Sequence, residues 1–294
     1  MSADMDDESP ADHDEVPGAM VDARVLSLRI RAREELGDSG ESLLCSSRDF
    51  LLRFLRSRDF HEDEALKVLL NYHRWRREAP EICSELTVTS VQNLLHSGYL
   101  AVLNGRDVHG SRVLVYRIDH WDPERVSAHE AFRISLIASE LLVHEVETQR
   151  CGVRIVFDLQ GLTFAHLTQL GPSLTRKIAT IITNSFPIKV RAVHLLNAPS
   201  LFRAFLGAIL PLLSNKIRSR ILLHRSQDFE LLHSSVPLDV LPTEFGGQVA
   251  TLDVLSAAWA RRVLHSERVL LALGPRHAEV CSCAVMWEAS VLHW

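Results

Sequence analysis

The chain has 294 residues and a net charge of −5, with 47% hydrophobic and 23% charged residues. Seven acidic residues crowd into its first fifteen positions, so the remainder is close to neutral. A near-neutral body lacks the dense Lys/Arg surface that neutralises phosphates, which argues against nucleic-acid partners. No stretch reaches the roughly 18 uncharged apolar residues that a spanning helix requires, so no transmembrane segment is predicted.

The N-terminal third is predicted to hold a tail and a helical unit. Residues 1–20 carry acids, two prolines and no apolar periodicity, which predicts a disordered acidic tail. Beyond it, apolar residues recur at helical spacing over 50–55 and over 62–78, and Pro80 ends the second run. We therefore expect an N-terminal helical bundle over residues 21–85.

Past residue 100, short β-branched runs alternate with longer amphipathic ones. The predicted strands are 113–118, 153–158, 192–197 and 221–224, and the predicted helices are 128–149, 166–184 and 200–213. Such a βαβ rhythm predicts a mainly parallel sheet with helices against its faces. We expect this α/β unit to cover residues 86–250, with a last turn over 241–247. A C-terminal helix and a divergent tail are expected over 251–294.

Catalytic signatures are absent from the sequence. It contains no nucleophile elbow, phosphate-binding loop, dinucleotide-binding glycine motif or zinc-protease motif. The pattern therefore predicts a protein that is not an enzyme, with no catalytic residue, no metal site and no cofactor.

One face of the predicted helix 128–149 combines apolar side chains with two hydroxyls. Phe132 and Leu136 lie there with Ser135 and Ser139. The serines suit two interpretations. Each hydroxyl can bond to a carbonyl one turn earlier, or the pair can hold the single polar group of an apolar ligand in a cavity.

The segment 200–213 is apolar around most of its circumference and is interrupted by Gly207 and Pro211. An outer helix of an α/β unit is normally polar on its solvent side. Residues 200–213 therefore indicate either a deeply buried helix or a lid that opens against lipid.

Basic residues flank these apolar features. Arg56 and Arg58 lie in the helical unit, Lys189 and Arg191 follow Phe186-Pro187, and Lys216, Arg218 and Arg220 follow the apolar helix. If the fold separates them, they are ordinary solvated charges. If the fold brings them together, they form a patch suited to anionic headgroups.

Six motifs within residues 45–265 resemble those of the CRAL-TRIO (Sec14-like) lipid-binding family. They are FLLRFLRSRDF at 50–60, YRIDHWDP at 116–123, EVETQ at 145–149, IVFDL at 155–159, SFPIKVR at 185–191 and EFGG at 244–247. The resemblance implies a fold of class α/β, in which a helical N-terminal lobe precedes a lobe that encloses a lipid. It also implies that 200–213 is a mobile gate helix.

The resemblance assigns residues to two sites. Ser135 and Ser139 become the polar end of a lipid pocket. Its apolar wall is formed by Phe132, Leu136, Val153, Phe157, Phe164, Ile178, Ile181, Ile182, Phe186, Ile188, Val190 and Val193. The phosphoinositide-binding residues are Arg58, Lys189, Arg191, Lys216 and Arg220.

The function implied by this resemblance is a cytoplasmic carrier of one hydrophobic ligand, with alpha-tocopherol as the expected cargo. Its partners would be that lipid and the phosphoinositides of endosomal or plasma membranes, which it would contact peripherally and transiently. Two alternatives stay open. Because a methyl group in an apolar site is worth only about 1–3 kcal/mol, the cargo could be another isoprenoid or a retinoid. The chain could also be a phosphoinositide-dependent adaptor that keeps a resident lipid.

Overall fold

The computed structural model describes residues 17–271, apart from residues 39, 41, 85, 226 and 227. Most of the predicted acidic tail and the end of the divergent C-terminal tail lie outside these residues. The first helix begins at Gly18. The expected end of the tail at residue 20 therefore falls inside the first turn of a helix.

Five helices form the N-terminal part of the described chain. They are α1 (Gly18–Gly37), α2 (Arg48–Ser57), α3 (Glu62–Glu78), α4 (Pro80–Cys83) and α5 (Gln92–His96). Helix α3 has acidic residues in its first turn and Arg76 and Arg77 in its last, which suits the helix dipole. It ends before Pro80, as the sequence predicts.

A five-stranded sheet forms the centre of the second part. Its strands are β1 (Leu100–Arg106), β2 (Arg112–Arg117), β3 (Val153–Asp158), β4 (Val190–Leu196) and β5 (Ile221–Leu223), and they lie side by side in chain order. Only the pair of β1 and β2 is antiparallel. The predicted mostly parallel sheet is confirmed. Strand β1 was not predicted, because Asn104 and Gly105 interrupt its apolar pattern.

The remaining helices connect the strands and close the C-terminal side. They are α6 (Ala128–Leu142), α7 (Val146–Cys151), α8 (Phe164–Gln169), α9 (Pro172–Thr180), α10 (Ser200–Ile209), α11 (Asn215–Arg218), α12 (Glu230–His233), α13 (Leu252–Leu264) and α14 (Glu267–Leu271). Short 3₁₀ turns include Leu210–Leu212 and Thr243–Phe245, and Ile181–Ser185 forms a π turn.

Two predicted helices are each broken in the structure. The predicted helix 128–149 becomes α6 and α7, because Glu145 has an extended backbone and the Gln149 amide donates to the carbonyl of Val143. The predicted helix 166–184 becomes α8, α9 and the π turn. Pro172 disfavours helical backbone at the preceding residue and starts a new helix.

Each face of the sheet covers a different apolar core. Leu114, Ile155 and Val193 face a large core that includes helices α1 to α6 and α10. Val113, Val156 and Leu196 face a smaller core with residues from 232 to 255. Because side chains alternate along a strand, the same three strands supply both cores.

Candidate functional site

The apolar residues proposed from the sequence as a pocket wall lie mostly together. Leu136, Val153, Ile181, Phe186, Ile188 and Val190 are buried in the large core, and Phe132, Phe157, Ile178, Ile182 and Val193 pack against it partly buried. They come from α6, from β3 and from the continuous stretch of α9, the π turn, the following segment 186–189 and β4. Three separate parts of the chain therefore form one apolar surface.

Phe164 does not join this surface. It is the first residue of α8, and its side chain is 67% exposed. Helix α8 lies next to α10. The expectation that Phe164 lines the pocket is not supported by its position, because its side chain is exposed and does not pack against the large core.

The face of the sheet that covers the large core is less tightly filled than the opposite face. Phe157 and Val193 are only partly buried although β3 and β4 are inner strands. On the opposite face, Val156 is 0% and Leu196 is 1% exposed. Protein interiors normally pack as densely as crystals, so accessible surface on inner strands is typical of a cavity wall.

Both candidate serines donate hydrogen bonds to their own helix. Ser135 Oγ donates to the carbonyl of Ala131 at 3.2 Å, and Ser139 Oγ donates to the carbonyl of Ser135 at 2.8 Å. Both residues are partly buried. Each hydroxyl proton is thus in use, while the oxygen lone pairs still accept. The two interpretations of these serines are therefore compatible.

Tyr116 is a polar residue of this region that sequence reasoning did not single out. It lies on β2, stacks on Phe157 with ring centroids 4.8 Å apart, and its hydroxyl is close to Ser135. Burial raises the pKa of Tyr116 to about 12, so the phenol stays protonated. The alternation of β2 was the available signal, since Leu114 and Tyr116 share one face.

Helix α10 covers the apolar surface with one side and exposes apolar residues on the other. Phe202 is buried, and Phe205 and Leu206 pack against the same core. On the outer side, Leu201 is 39% exposed, and Leu212 in the adjoining 3₁₀ turn is 45% exposed. The helix is therefore neither a fully buried core helix nor an ordinary amphipathic one.

Short contacts to neighbouring residues place Arg58, Lys189, Arg191 and Arg220 in one region. Lys189 Nζ pairs with Asp59 Oδ1 at 2.5 Å, directly beside Arg58. Arg220 donates to the carbonyl of Val190, the residue between Lys189 and Arg191.

Arg191 and Arg220 lie close enough to repel each other. Burial, followed by the charge of Arg191, lowers the pKa of Arg220. Burial also lowers the pKa of Arg58. Lys216 is exposed on α11, four residues before Arg220. We name these five residues the basic patch.

A buried charged cluster joins the N-terminal helices to α6. Glu140 accepts from Arg53 at 3.1 Å, from the Tyr72 hydroxyl at 2.5 Å and from Arg76 at 3.4 Å. Tyr72 also contacts Phe186 of the apolar surface, with centroids 5.8 Å apart. The signal missed in the sequence is the one charged residue in the second half of α6, residues 134–142, since buried carboxylates require partners.

Comparison with known proteins identifies the family. Residues 96–247 match the model of the CRAL/TRIO domain. These residues contain the whole sheet and α10 with the surface it covers. The chain belongs to the CRAL-TRIO lipid-transfer family.

Individual proteins of this family are similar to the chain over most of its length. The chain is 39% identical over 218 residues to an "Alpha-tocopherol transfer protein-like" protein of Mus musculus, covering 74% of this chain and 63% of that protein. The Homo sapiens protein of the same name is 37% identical over 243 residues, covering 83% and 69% respectively. Clavesin-2 of Homo sapiens is 31% identical over 220 residues, covering 74% and 66%. This chain spans less than two thirds of the mouse relative's length.

The solved structure of Sfh5 aligns with this chain at 13% identity and a TM-score of 0.43. The alignment covers 76% of this chain and 81% of the Sfh5 chain. That similarity is too low to add to the family assignment. Among the described residues, no helix is long and apolar enough to cross a membrane. In the same ranges, no three His, Cys, Asp or Glu residues are grouped so that they could hold a metal ion.

Proposed function

We propose that this chain is an intracellular carrier, without a catalytic step, that holds one alpha-tocopherol-like molecule and exchanges it at phosphoinositide-containing membranes. The observation that supports this most directly is the continuous apolar surface covered by α10. Its polar features are few, as expected of a site for a largely apolar ligand. The names of the relatives with 37% and 39% identity agree with this cargo.

The polar end of the cargo is expected to be a hydroxyl that donates a hydrogen bond. Ser135 and Ser139 donate to backbone carbonyls, so while those bonds are kept their oxygens can only accept from a ligand. A phenolic or alcoholic hydroxyl satisfies them. A ligand whose polar end only accepts, such as a ketone, would require one of these hydroxyls to give up its backbone bond.

Retention of such a ligand would follow from burial. A tocopherol-sized molecule hides several hundred Å² of apolar surface, which at about 25 cal/mol per Å² is of order 10 kcal/mol before the costs of association. Release into water is then slow. Exchange therefore requires contact with a membrane while the gate is open.

The outer side of the gate is suited to that contact. Leu201 and Leu212 present apolar surface outward, and Phe164 lies at the start of the neighbouring helix α8. We assign Phe164 to membrane contact in place of the pocket wall. Exposed apolar residues beside a basic patch are typical of peripheral membrane binding.

The basic patch is the proposed headgroup site. Lys189 is already paired with Asp59, and Arg191 Nε donates to the carbonyl of Cys151 at 2.8 Å. Their remaining donors, with Lys216, can bind phosphate oxygens. Binding of a headgroup favours the open gate only if the headgroup binds the open state more tightly than the closed state.

The test is lipid transfer between vesicles with the double variant Lys216→Ala, Arg220→Ala. We expect slower transfer to phosphoinositide vesicles and nearly unchanged equilibrium binding of alpha-tocopherol. The matched control is Arg33→Ala, Lys67→Ala, which removes two exposed basic residues from α1 and α3. Equal transfer rates in both variants would refute the proposal. A lipid that never leaves the protein would indicate the adaptor function.

A further inference from the structure

A second pocket lies outside the apolar surface and the basic patch. It has a volume of about 310 Å³ and lies where the C-terminal half of α3 meets α9 and the π turn. Its lining includes Asn71, Arg74, Trp75, Arg176, Thr183 and Leu212. Because Leu212 ends the 3₁₀ turn after α10, an occupant of this pocket would contact the tip of the gate.

Two arginines in the lining are not neutralised by carboxylates. Within the described ranges, neither Arg74 nor Arg176 takes part in an ion pair, whereas the neighbouring Lys177 pairs with Glu81 at 2.5 Å. Glu78 is the one acid in the lining. The pocket therefore combines two guanidinium groups, one of which donates to Asn71 Oδ1 at 3.4 Å, with a single carboxylate, which favours an anionic occupant.

Neutral donors supplement the arginines. Within the part of the chain that the structure describes, Thr183 Oγ1 is buried and has no hydrogen-bond partner, which is a cost unless a ligand or water satisfies it. Asn71 Nδ2 donates to the carbonyl of Asn184 at 3.2 Å and so ties α3 to the π turn. Turns of the π type are rare and frequently occur at functional sites.

We infer that this pocket binds a phosphate-bearing ligand. Guanidinium groups bind phosphate oxygens in bidentate geometry, and amide and hydroxyl donors complete such sites. Trp75 and Leu212 supply an apolar edge for the carbon skeleton that carries the phosphate. The pocket shares no residue with the basic patch, so this inference does not depend on the proposed function.

The test is calorimetric titration of the full chain with inositol 1,4,5-trisphosphate in the Lys216→Ala, Arg220→Ala background. Any trisphosphate binding that remains in this background is then assigned to the pocket. Adding Arg74→Gln with Arg176→Gln is expected to weaken that binding by about tenfold or more, as for a lost charge-assisted hydrogen bond. The control Arg125→Gln, in an exposed loop, should leave it unchanged.

A further variant separates binding from stability. Thr183→Val removes the unpartnered hydroxyl with little change of shape. It should therefore weaken binding of the trisphosphate without lowering the melting temperature of the protein. Vesicles with and without phosphatidylinositol bisphosphate distinguish a membrane headgroup from a soluble ligand. Undetectable binding in the patch background, or equal affinity with and without the two arginines, would overturn the inference.

Discussion

Glu140 shows at the residue scale how the two parts of the chain are held together. Its side chain is wholly buried on α6 and accepts hydrogen bonds from Arg53, Tyr72 and Arg76 of the N-terminal helices. A buried ion pair contributes little relative to apolar packing, but breaking one leaves an unpaired charge in the interior. Glu140 therefore makes correct association of the two parts a condition of stability.

Replacing Glu140 with alanine is expected to lower the free energy of unfolding by about 3–5 kcal/mol, because Arg53 and Arg76 lose their counter-charge. The matched control is Asp253→Ala, which breaks the surface pair with Arg117. That change should cost less than about 1 kcal/mol, since the Asp253 side chain is 74% exposed. Urea unfolding of both variants measures the difference. Similar losses in the two would contradict the role given to Glu140.

Ser139 carries a separate residue-scale prediction about the ligand. If the Ser139 oxygen accepts a hydrogen bond from the cargo hydroxyl, Ser139→Ala should weaken the binding of alpha-tocopherol by about three- to tenfold. Binding of the same lipid with its hydroxyl methylated should not respond to the change. Competition titrations of the two ligands provide the measurement. An equal loss for both would show that the serine acts only through packing.

Among the secondary-structure elements, α10 with its adjoining 3₁₀ turn is the proposed gate, and it carries apolar residues on both of its sides. Its inner residues pack on the large core, and Leu201 and Leu212 stay exposed. We expect Leu201→Asp with Leu212→Asp to reduce binding to vesicles several-fold, because charged groups resist transfer into the membrane interface. Leu231→Asp on α12 is the control, since Leu231 is equally apolar and 50% exposed. Vesicle sedimentation measures both, and a similar loss with the control would contradict a specific membrane face.

Elements with strong local signals could be predicted from the sequence, and those that depend on tertiary contacts could not. Helix α3 and strand β3 have the predicted bounds, because periodicity and Pro80 define them. The break between α6 and α7 depends on Glu145, whose carboxylate binds Arg106, Arg112 and Arg262 from distant segments. The periodicity of apolar residues does not show which distant residues Glu145 contacts.

The candidate site shows the same division. Periodicity alone placed Phe132, Leu136 and the two serines on one helix face, and the family motifs supplied most of the remaining wall. Neither source indicated that Phe164 is exposed, because its direction depends on the turn that precedes α8. The pocket beside Arg74 could not be predicted from the sequence either, because it forms where α3 meets the π turn.

The whole molecule is expected to lose stability in mild acid. His194 is buried on β4, where its Nε2 accepts from Arg154 at 2.8 Å and its Nδ1 donates to His224 at 2.8 Å. Asp107 pairs with the same arginine at 2.8 Å. Burial, then Arg154 and His224, lower the pKa of His194 to about 3.

The unfolded chain protonates this histidine below about pH 6.5, whereas the folded chain does not. Stability is therefore retained above that pH and falls as the pH drops towards 3. Between pH 7.5 and 5.5, His194 alone should cost about 1.4 kcal/mol. His73 and His144 act in the same direction, since burial lowers the pKa of each to about 4. Urea unfolding at the two pH values measures the change, and equal stability would contradict the buried neutral pair.

The central claim is that the chain holds one exchangeable lipid under the gate. The most direct measurement is to extract and identify the lipid that copurifies, then to titrate the emptied protein with alpha-tocopherol, gamma-tocopherol and retinal. Quenching of the native tryptophans reports binding. We predict saturation at about one ligand per chain, with alpha-tocopherol preferred and released to vesicles. Failure of all three to bind, together with an extracted lipid that vesicles cannot remove, would contradict the carrier account.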